Sequence, residues 1–254
     1  MELANTTCVI TGGASGIGAA LAKRFIAEGA STVVIADLGE ERTAAAASDI
    51  GAIGVSCDVT DEAAIYRLVS ETEAAHGPIN LFVSNAGFSI DGGLEVPDDG
   101  WQRLWDLHVM AHVYAARAVI PGMVANGGGQ LVQTVSAAGM LASLTSLPYT
   151  VTKHASLALA EWLAITHRDQ NIRVAAICPL VVETPLTPRF SLDGAGEPAT
   201  PEQVADVVVG GLADGRFLIL PHPEVSDYAR RKADDPDRWL AGMARLWSGV
   251  MYPT

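Results

Sequence analysis

Short runs of β-branched and apolar residues alternate along this chain with longer, Ala-rich amphipathic stretches of helical period. The alternation predicts strands over 7–11, 32–36, 53–56, 81–84, 130–135, 173–178 and 217–220. Between them it predicts helices over 17–28, 40–48, 62–76, 101–124, 149–167 and 202–213. The strands are apolar almost throughout instead of alternating, as in a sheet covered on both faces. Repeated βα units of this kind specify an α/β fold, a Rossmann-like doubly wound parallel sheet of about seven strands with helices on both faces. Residues 1–254 carry no internal repeat, low-complexity tract or linker, and read as a single domain. The least periodic stretch, 183–200, is rich in Pro, Gly and Ser and precedes the helix that Thr200 and Pro201 introduce. It reads as a substrate lid or as a plain surface loop. The tail at 224–254, with Trp239, Trp247 and Tyr252, either closes a pocket or covers a subunit edge.

Charge narrows the range of partners. Against 16 basic side chains stand 29 acidic ones, a formal charge of −13. Phosphate backbones reward clustered Lys and Arg, so nucleic acid is not an expected partner. The cluster Arg230, Arg231 and Lys232 is followed at once by Asp234, Asp235 and Asp237, and reads as a solvated helix face. Cys8, Cys57 and Cys178 have neither metal-ligand nor redox-motif spacing. No metal is expected, and the odd, scattered cysteines point to a reducing, cytoplasmic compartment. No run approaches the roughly 20 apolar residues that span a bilayer, so no membrane partner is expected. A first strand beginning near Thr6 also leaves no room for a cleavable leader.

The turn between the first strand and first helix holds Gly12, Gly13, Ser15, Gly16, Ile17 and Gly18. Glycines there permit a tight turn and let a pyrophosphate rest against unpaired N–H groups at the helix start. Asp37, at the end of the second strand, is nineteen residues beyond Gly18, where an acidic side chain accepts bonds from an adenosine ribose. Its carboxylate repels a 2′-phosphate, no Lys or Arg stands in the turn, and Leu38 follows. NAD is therefore the expected cofactor rather than NADP. The other reading of Asp37 is a helix N-cap or turn residue.

These residues resemble the short-chain dehydrogenase/reductase family in its common single-domain form, and the resemblance runs to about Leu220. The turn matches that family's Thr-Gly-x-x-x-Gly-x-Gly pattern. Asp58 and Val59 look like its adenine-contacting pair, and Asn85, Ala86 and Gly87 like its Asn-Ala-Gly motif, with Ser84 where a further Asn is common. Pro179, Val182 and Thr184 resemble its Pro-Gly-x-Val-x-Thr segment, which holds the nicotinamide carboxamide. Leu180 replaces the glycine and either narrows the substrate cavity or redirects the loop. The family commonly pairs through its two long helices, here 101–124 and 149–167, and the resemblance implies a homotetramer.

Tyr149 and Lys153, four apart at a helix start, share one face, and Ser136 ends the fifth strand. The spacing is similar to the family's Ser and Tyr-x-x-x-Lys arrangement. Oxidising a secondary alcohol needs a base for its proton, and a free phenol with a pKa of about 10 is a poor one. An adjacent ammonium, together with the positive charge of oxidised nicotinamide, favours phenolate, and a serine hydroxyl stabilises charge developing on the reacting oxygen. The resemblance implies that Tyr149 is the acid/base and that Lys153 also bonds the nicotinamide ribose. The family's fourth residue, usually Asn, falls on His108, which reads either as a proton relay or as a packed helix residue, with His112 one turn on. Phe88, Ile90, Met140, Leu141, Leu144, Val181 and Phe190 read as pocket residues and suggest a small apolar alcohol or ketone. Two alternatives stand beside the NAD-dependent alcohol dehydrogenase or ketone reductase: a 3-oxoacyl thioester reductase, and a non-catalytic NAD-sensing protein.

Overall fold

Val9, Phe82 and Leu131 are solvent-free in one apolar cluster while their strand neighbours Cys8, Ile10, Leu81, Val83 and Val132 fill another. Adjacent side chains on a strand point to opposite faces, so these strands have a core on each side. The computed structural model describes residues 2–184 and 198–251. Its strands are β1 (Thr7–Thr11), β2 (Thr32–Asp37), β3 (Ile53–Ser56), β4 (Leu81–Ser84), β5 (Gly129–Thr134), β6 (Ile172–Ile177) and β7 (Leu218–Ile219). They form one sheet of order β3-β2-β1-β4-β5-β6-β7. Each pairing is parallel.

Three helices, α1 (Gly16–Ala27), α2 (Glu40–Ile50) and α3 (Glu62–His76), follow the first three strands. After β4 come α4 (Asp98–Trp105) and α5 (Ala111–Ala125), and after β5 comes α6 (Leu147–Thr166). Beyond β6 lie α7 (Pro201–Ala213), α8 (Glu224–Asp234) and α9 (Pro236–Met251). Leu21 and Phe25 of α1 and Val204, Val208 and Leu212 of α7 pack on one face of the sheet. Ile65 and Leu68 of α3, Val119 and Met123 of α5 and Ala160 and Leu163 of α6 pack on the other. Strand order reverses between β1 and β4, which opens a crevice at their carboxyl ends, where α/β sheets take ligands.

The predicted helix over 101–124 starts earlier, at Asp98, and is broken by a π-helical turn over Asp106–Met110. By length and composition the run Asp98–Ala125 is apolar enough to cross a bilayer, which corrects the expectation that no run approaches that size. Half of that apolar window is instead buried inside the fold. β3 departs from the covered pattern because it is the sheet edge, with Ile53 exposed. The tail left unassigned by periodicity forms α8 and α9, which meet through Tyr228 and Trp239 at a ring separation of 6.3 Å. Val225 anchors α8 in a cluster with Ala137 and Leu141. Lys232 donates to the Met140 carbonyl at 2.8 Å. The tail therefore packs against the turn after β5. Most of the proposed lid, 185–197 with Phe190, lies outside the described residues.

Candidate active site

The glycine turn leaves β1 and enters α1 with its backbone pressed against β4. A Cβ on Gly12, whose φ is +63°, would lie 2.7 Å from Ala86 Cα, and one on Gly18 would lie 2.2 Å from the Gly12 carbonyl. Neither position admits a side chain. Ser15 takes the N-cap position with extended backbone but gives no side-chain cap, so the first-turn N–H groups of α1 are available to an anion. Ile17 turns away and packs with the α1 core, while Gly16 faces the Thr184 side chain across the crevice. This is a cradle that fits a pyrophosphate.

Beneath it, Asn85 acts as a tie beam. Its Nδ2 donates to the Thr11 and Gly12 carbonyls at 3.1 and 3.3 Å, and its Oδ1 accepts from the Thr134 hydroxyl at 3.0 Å. The Thr11 hydroxyl accepts the Asn85 and Ala86 N–H groups in turn. The side chain of Asn85 thus joins β1, β4 and β5, and it is the adjoining Ala86 and Gly87 that border the crevice. Asp58 is exposed and bonds Thr60 within its own turn, whereas Val59 is buried.

Asp37 ends β2 with its carboxylate turned to the crevice. Oδ2 accepts the Ala14 N–H at 3.2 Å and Oδ1 accepts the Leu38 N–H at 2.9 Å. The Leu38 side chain is exposed beside it. Sequence reading found no cation near this carboxylate, and the structure corrects that: Arg42 Nη2 stands 2.6 Å from Oδ1. Because α2 begins at Glu40, its first turn carries position 42 back over the end of β2. The five-residue spacing was the available signal.

The three groups of the catalytic reading converge at the carboxyl edge of β5. Ser136 follows the strand and opens a 3-10 turn over Ala137–Gly139, its hydroxyl accepting the Ala138 N–H. Ser146 caps α6 through the Tyr149 N–H, which sets Tyr149 in the first turn and Lys153 one turn on. Tyr149 and Ser136 share a side-chain hydrogen bond. Lys153 donates from Nζ to the Thr134 carbonyl at 2.9 Å and lies 5.6 Å from the centre of the Tyr149 ring. Burial pushes the Lys153 amine down to about 7. Burial also raises the Tyr149 phenol, opposed by the bond with Ser136. In the protein by itself burial is the larger of these influences and favours the protonated phenol.

His108 sits in the π-helical turn and is solvent-free. Its Nδ1 is 3.0 Å from the Thr152 hydroxyl, its carbonyl accepts the Ser156 hydroxyl at 2.6 Å, and its ring meets Tyr149 edge-on at 5.3 Å. A Cβ on Gly87 would lie 3.4 Å from Nε2. Thr152, forty-four residues away in sequence, gave no sequence signal. Burial and then the Lys153 charge hold the His108 ring well below the usual histidine value. His112 lies deeper, beside Gln133, and the same two causes bring it to about 3. A cavity of about 10 Å³, near the size of one water, separates His112 from Ser84 and Thr11.

Loop residues after β6 complete the crevice. Pro179 accepts the Ala137 N–H at 2.8 Å, and Val181 and Glu183 bond the two backbone groups of Ala199, so both ends of the 185–197 segment are tied together. Val182, buried, bridges Ala199 as well. Leu180 does not need the glycine conformation, since its φ is not positive. Its side chain packs with Met140, Leu220, Tyr228 and Trp239 against the Leu141 cluster. Phe88, Ile90, Leu144 and Val181 are partly buried around the mouth, and Arg103 stacks over the Phe88 ring at 5.2 Å. Leu141 is a wall residue rather than an exposed pocket surface. Burial raises the thiols of Cys8, Cys57 and Cys178 to about 11, so all three are protonated bystanders.

The sequence profile described as short chain dehydrogenase matches residues 6–193. The chain is 32% identical over 268 residues to 1-deoxy-11-beta-hydroxypentalenate dehydrogenase of Streptomyces avermitilis, spanning 100% of this chain and 98% of that protein. It is 31% identical over 232 residues to meso-2,3-butanediol dehydrogenase of Serratia marcescens, spanning 86% and 92% respectively. A solved short chain dehydrogenase/reductase from Burkholderia phymatum in complex with NAD superposes with a TM-score of 0.85 at 27% identity, covering 93% of this chain and 96% of that one.

His112 has a pH consequence. It stays neutral in the fold down to about 3, whereas the unfolded chain takes up a proton below 6.5. Stability from this group is intact above 6.5 and is lost as pH falls from there toward 3, by up to roughly 5 kcal/mol. Thermal melts between pH 7 and 4 should show a steeper fall in Tm for the wild type than for His112→Leu; parallel curves would contradict this.

Proposed function

Because this chain belongs to the short-chain dehydrogenase family, we propose that it interconverts an apolar secondary alcohol and its ketone, using NAD, with Tyr149 as general acid/base. Family membership makes it an oxidoreductase acting on CH–OH groups. The observation that carries the finer reading is the convergence of Ser136, Tyr149 and Lys153 beside a glycine cradle at one sheet edge. A nicotinamide dinucleotide, when bound, supplies the hydride acceptor or donor.

The chain's residues hold that group and manage the proton. Gly12, Ser15, Gly16, Ile17 and Gly18 form the pyrophosphate turn; Asp37 and Leu38 meet the adenosine ribose, and Asp58 and Val59 the adenine. Asn85, Ala86 and Gly87 form the floor, and Pro179, Val182 and Thr184 hold the nicotinamide end. Ser136 holds the reacting oxygen of the substrate, and Tyr149 takes its hydroxyl proton or returns it to a carbonyl. Lys153, bonded to the ribose and brought near neutrality by burial, is poised to pass that proton on. In this reading His108 is the relay residue, passing a proton on without holding it, since its ring both donates and accepts and its Nδ1 meets the Thr152 hydroxyl. The apolar wall of Met140, Leu180, Tyr228 and Trp239 favours an apolar substrate. Exposed Trp162 and Ile165 on α6 support assembly into a homotetramer through α5 and α6. Three free, buried cysteines support a reducing, cytoplasmic setting.

Tyr149→Phe should lower turnover of a secondary alcohol by at least about 100-fold while NAD binding is retained; a variant that keeps full turnover, followed by absorbance of reduced cofactor, removes Tyr149 from the role. At position 108, Asn should retain most activity and Leu lose about tenfold or more. Equal rates for His108→Leu and wild type would sink the relay. NAD should bind more tightly than NADP, and Asp37→Ala should narrow the gap by about tenfold, since Arg42 is then free to meet a 2′-phosphate. Titration calorimetry that finds an unchanged preference refutes this assignment.

A further inference from the structure

The sharp turn between β7 and α8 carries His222, which is 4% exposed although it lies outside every secondary-structure element. Its Nδ1 stands 3.1 Å from the Leu180 backbone nitrogen. A peptide N–H only donates, so Nδ1 is the acceptor and the ring proton resides on Nε2. Leu180 occupies the place where a glycine was expected, directly ahead of Val182 and Thr184. We propose that His222 is a positioning residue for the nicotinamide end of the cofactor site: it fixes the course of the loop after β6 by holding the Leu180 N–H. This rests on the reading of that loop as the nicotinamide side of a dinucleotide site.

Three anchors meet around Leu180. Cys178 N–H bonds the Ile219 carbonyl at 2.9 Å, and Pro179 accepts from Ala137 at 2.8 Å, which ties the loop to β7 and to the Ser136 turn. Beyond Leu180, Ala199 bonds Val181 and Glu183. His222 supplies the hydrogen bond between these sets, at the residue whose side chain must turn toward Tyr228 and Trp239. Without an acceptor there, the partly buried Leu180 N–H would be unpaired, and the loop would shift to reach another partner. Such a shift moves Val182 and Thr184 relative to Gly16, which faces Thr184. It leaves the Asp37 end of the crevice untouched.

The effect should therefore appear as a change in discrimination between a whole dinucleotide and its ADP-ribose half. Titration calorimetry of the full-length protein with NAD and with ADP-ribose would compare wild type, His222→Leu, His222→Asn and Leu180→Pro. Asn places an oxygen where Nδ1 lies, and proline removes the donor while keeping the histidine. We expect His222→Leu and Leu180→Pro each to weaken NAD by about tenfold with ADP-ribose unchanged within about twofold, and His222→Asn to bind NAD as the wild type does. Should His222→Leu fail to fold, Leu180→Pro carries the comparison. Undiminished NAD binding in the folded variants, equal loss of both ligands, or no rescue by Asn would overturn the proposal. Wild-type protein that binds neither ligand would instead overturn the dinucleotide reading itself, and the role of His222 with it.

Discussion

Lys153 exchanges its hydration for a hydrogen bond to the Thr134 carbonyl, and the electrostatics of the site follow from that exchange. A carbonyl stabilises an ammonium less than a carboxylate does, so the amine falls from 10.5 to about 7, roughly 5 kcal/mol against its charged form. That leaves it able to gain or lose a proton near neutrality. Its charge, when present, also disfavours protonation of His108 and His112, which burial already keeps neutral. Tyr149 feels the same dry surroundings and is held in its acid form. A site of this kind is uncommitted until a charged ligand enters it.

Backbone contact fixes where the amine sits. The Thr134 carbonyl is the last of β5, and Ser136 lies two residues on, at the mouth of the turn. A Cβ on Gly139 would come within 2.7 Å of the Lys153 carbonyl, so this turn rests directly on the backbone of α6. Ser136, Tyr149 and Lys153 are thus held by one strand end and one helix start pressed together, which restrains their separations more tightly than side-chain packing would. The π-helical turn before α5 does similar work across the crevice: the His108 carbonyl meets Ser156 of α6, and its ring meets Thr152.

The local signals that sequence carries well are periodicity and short motifs, and both were legible here. Short continuous apolar runs identified the seven strands, because residues in a doubly covered sheet have no polar face to display. The glycine turn and the Tyr149 to Lys153 spacing declared themselves through separations of a few residues, and Asp37 through its place at the end of the second strand. Boundaries were less visible: the helix predicted over 101–124 hid a π turn, since His108 differs from its neighbours only in chemistry, not in pattern.

Sequence alone determined the α/β architecture, the family resemblance and the identity of the residues that converge, since each depends on apolar runs and on motif spacings along the chain. Tertiary structure alone decided what those residues feel. Thr152 meets His108, His222 holds Leu180, and the tail helices wall the turn after β5, all across elements that no local pattern connects. The protonation of Tyr149 and Lys153 belongs to the same group, because desolvation is a property of everything packed around a side chain and is written nowhere in its immediate neighbours.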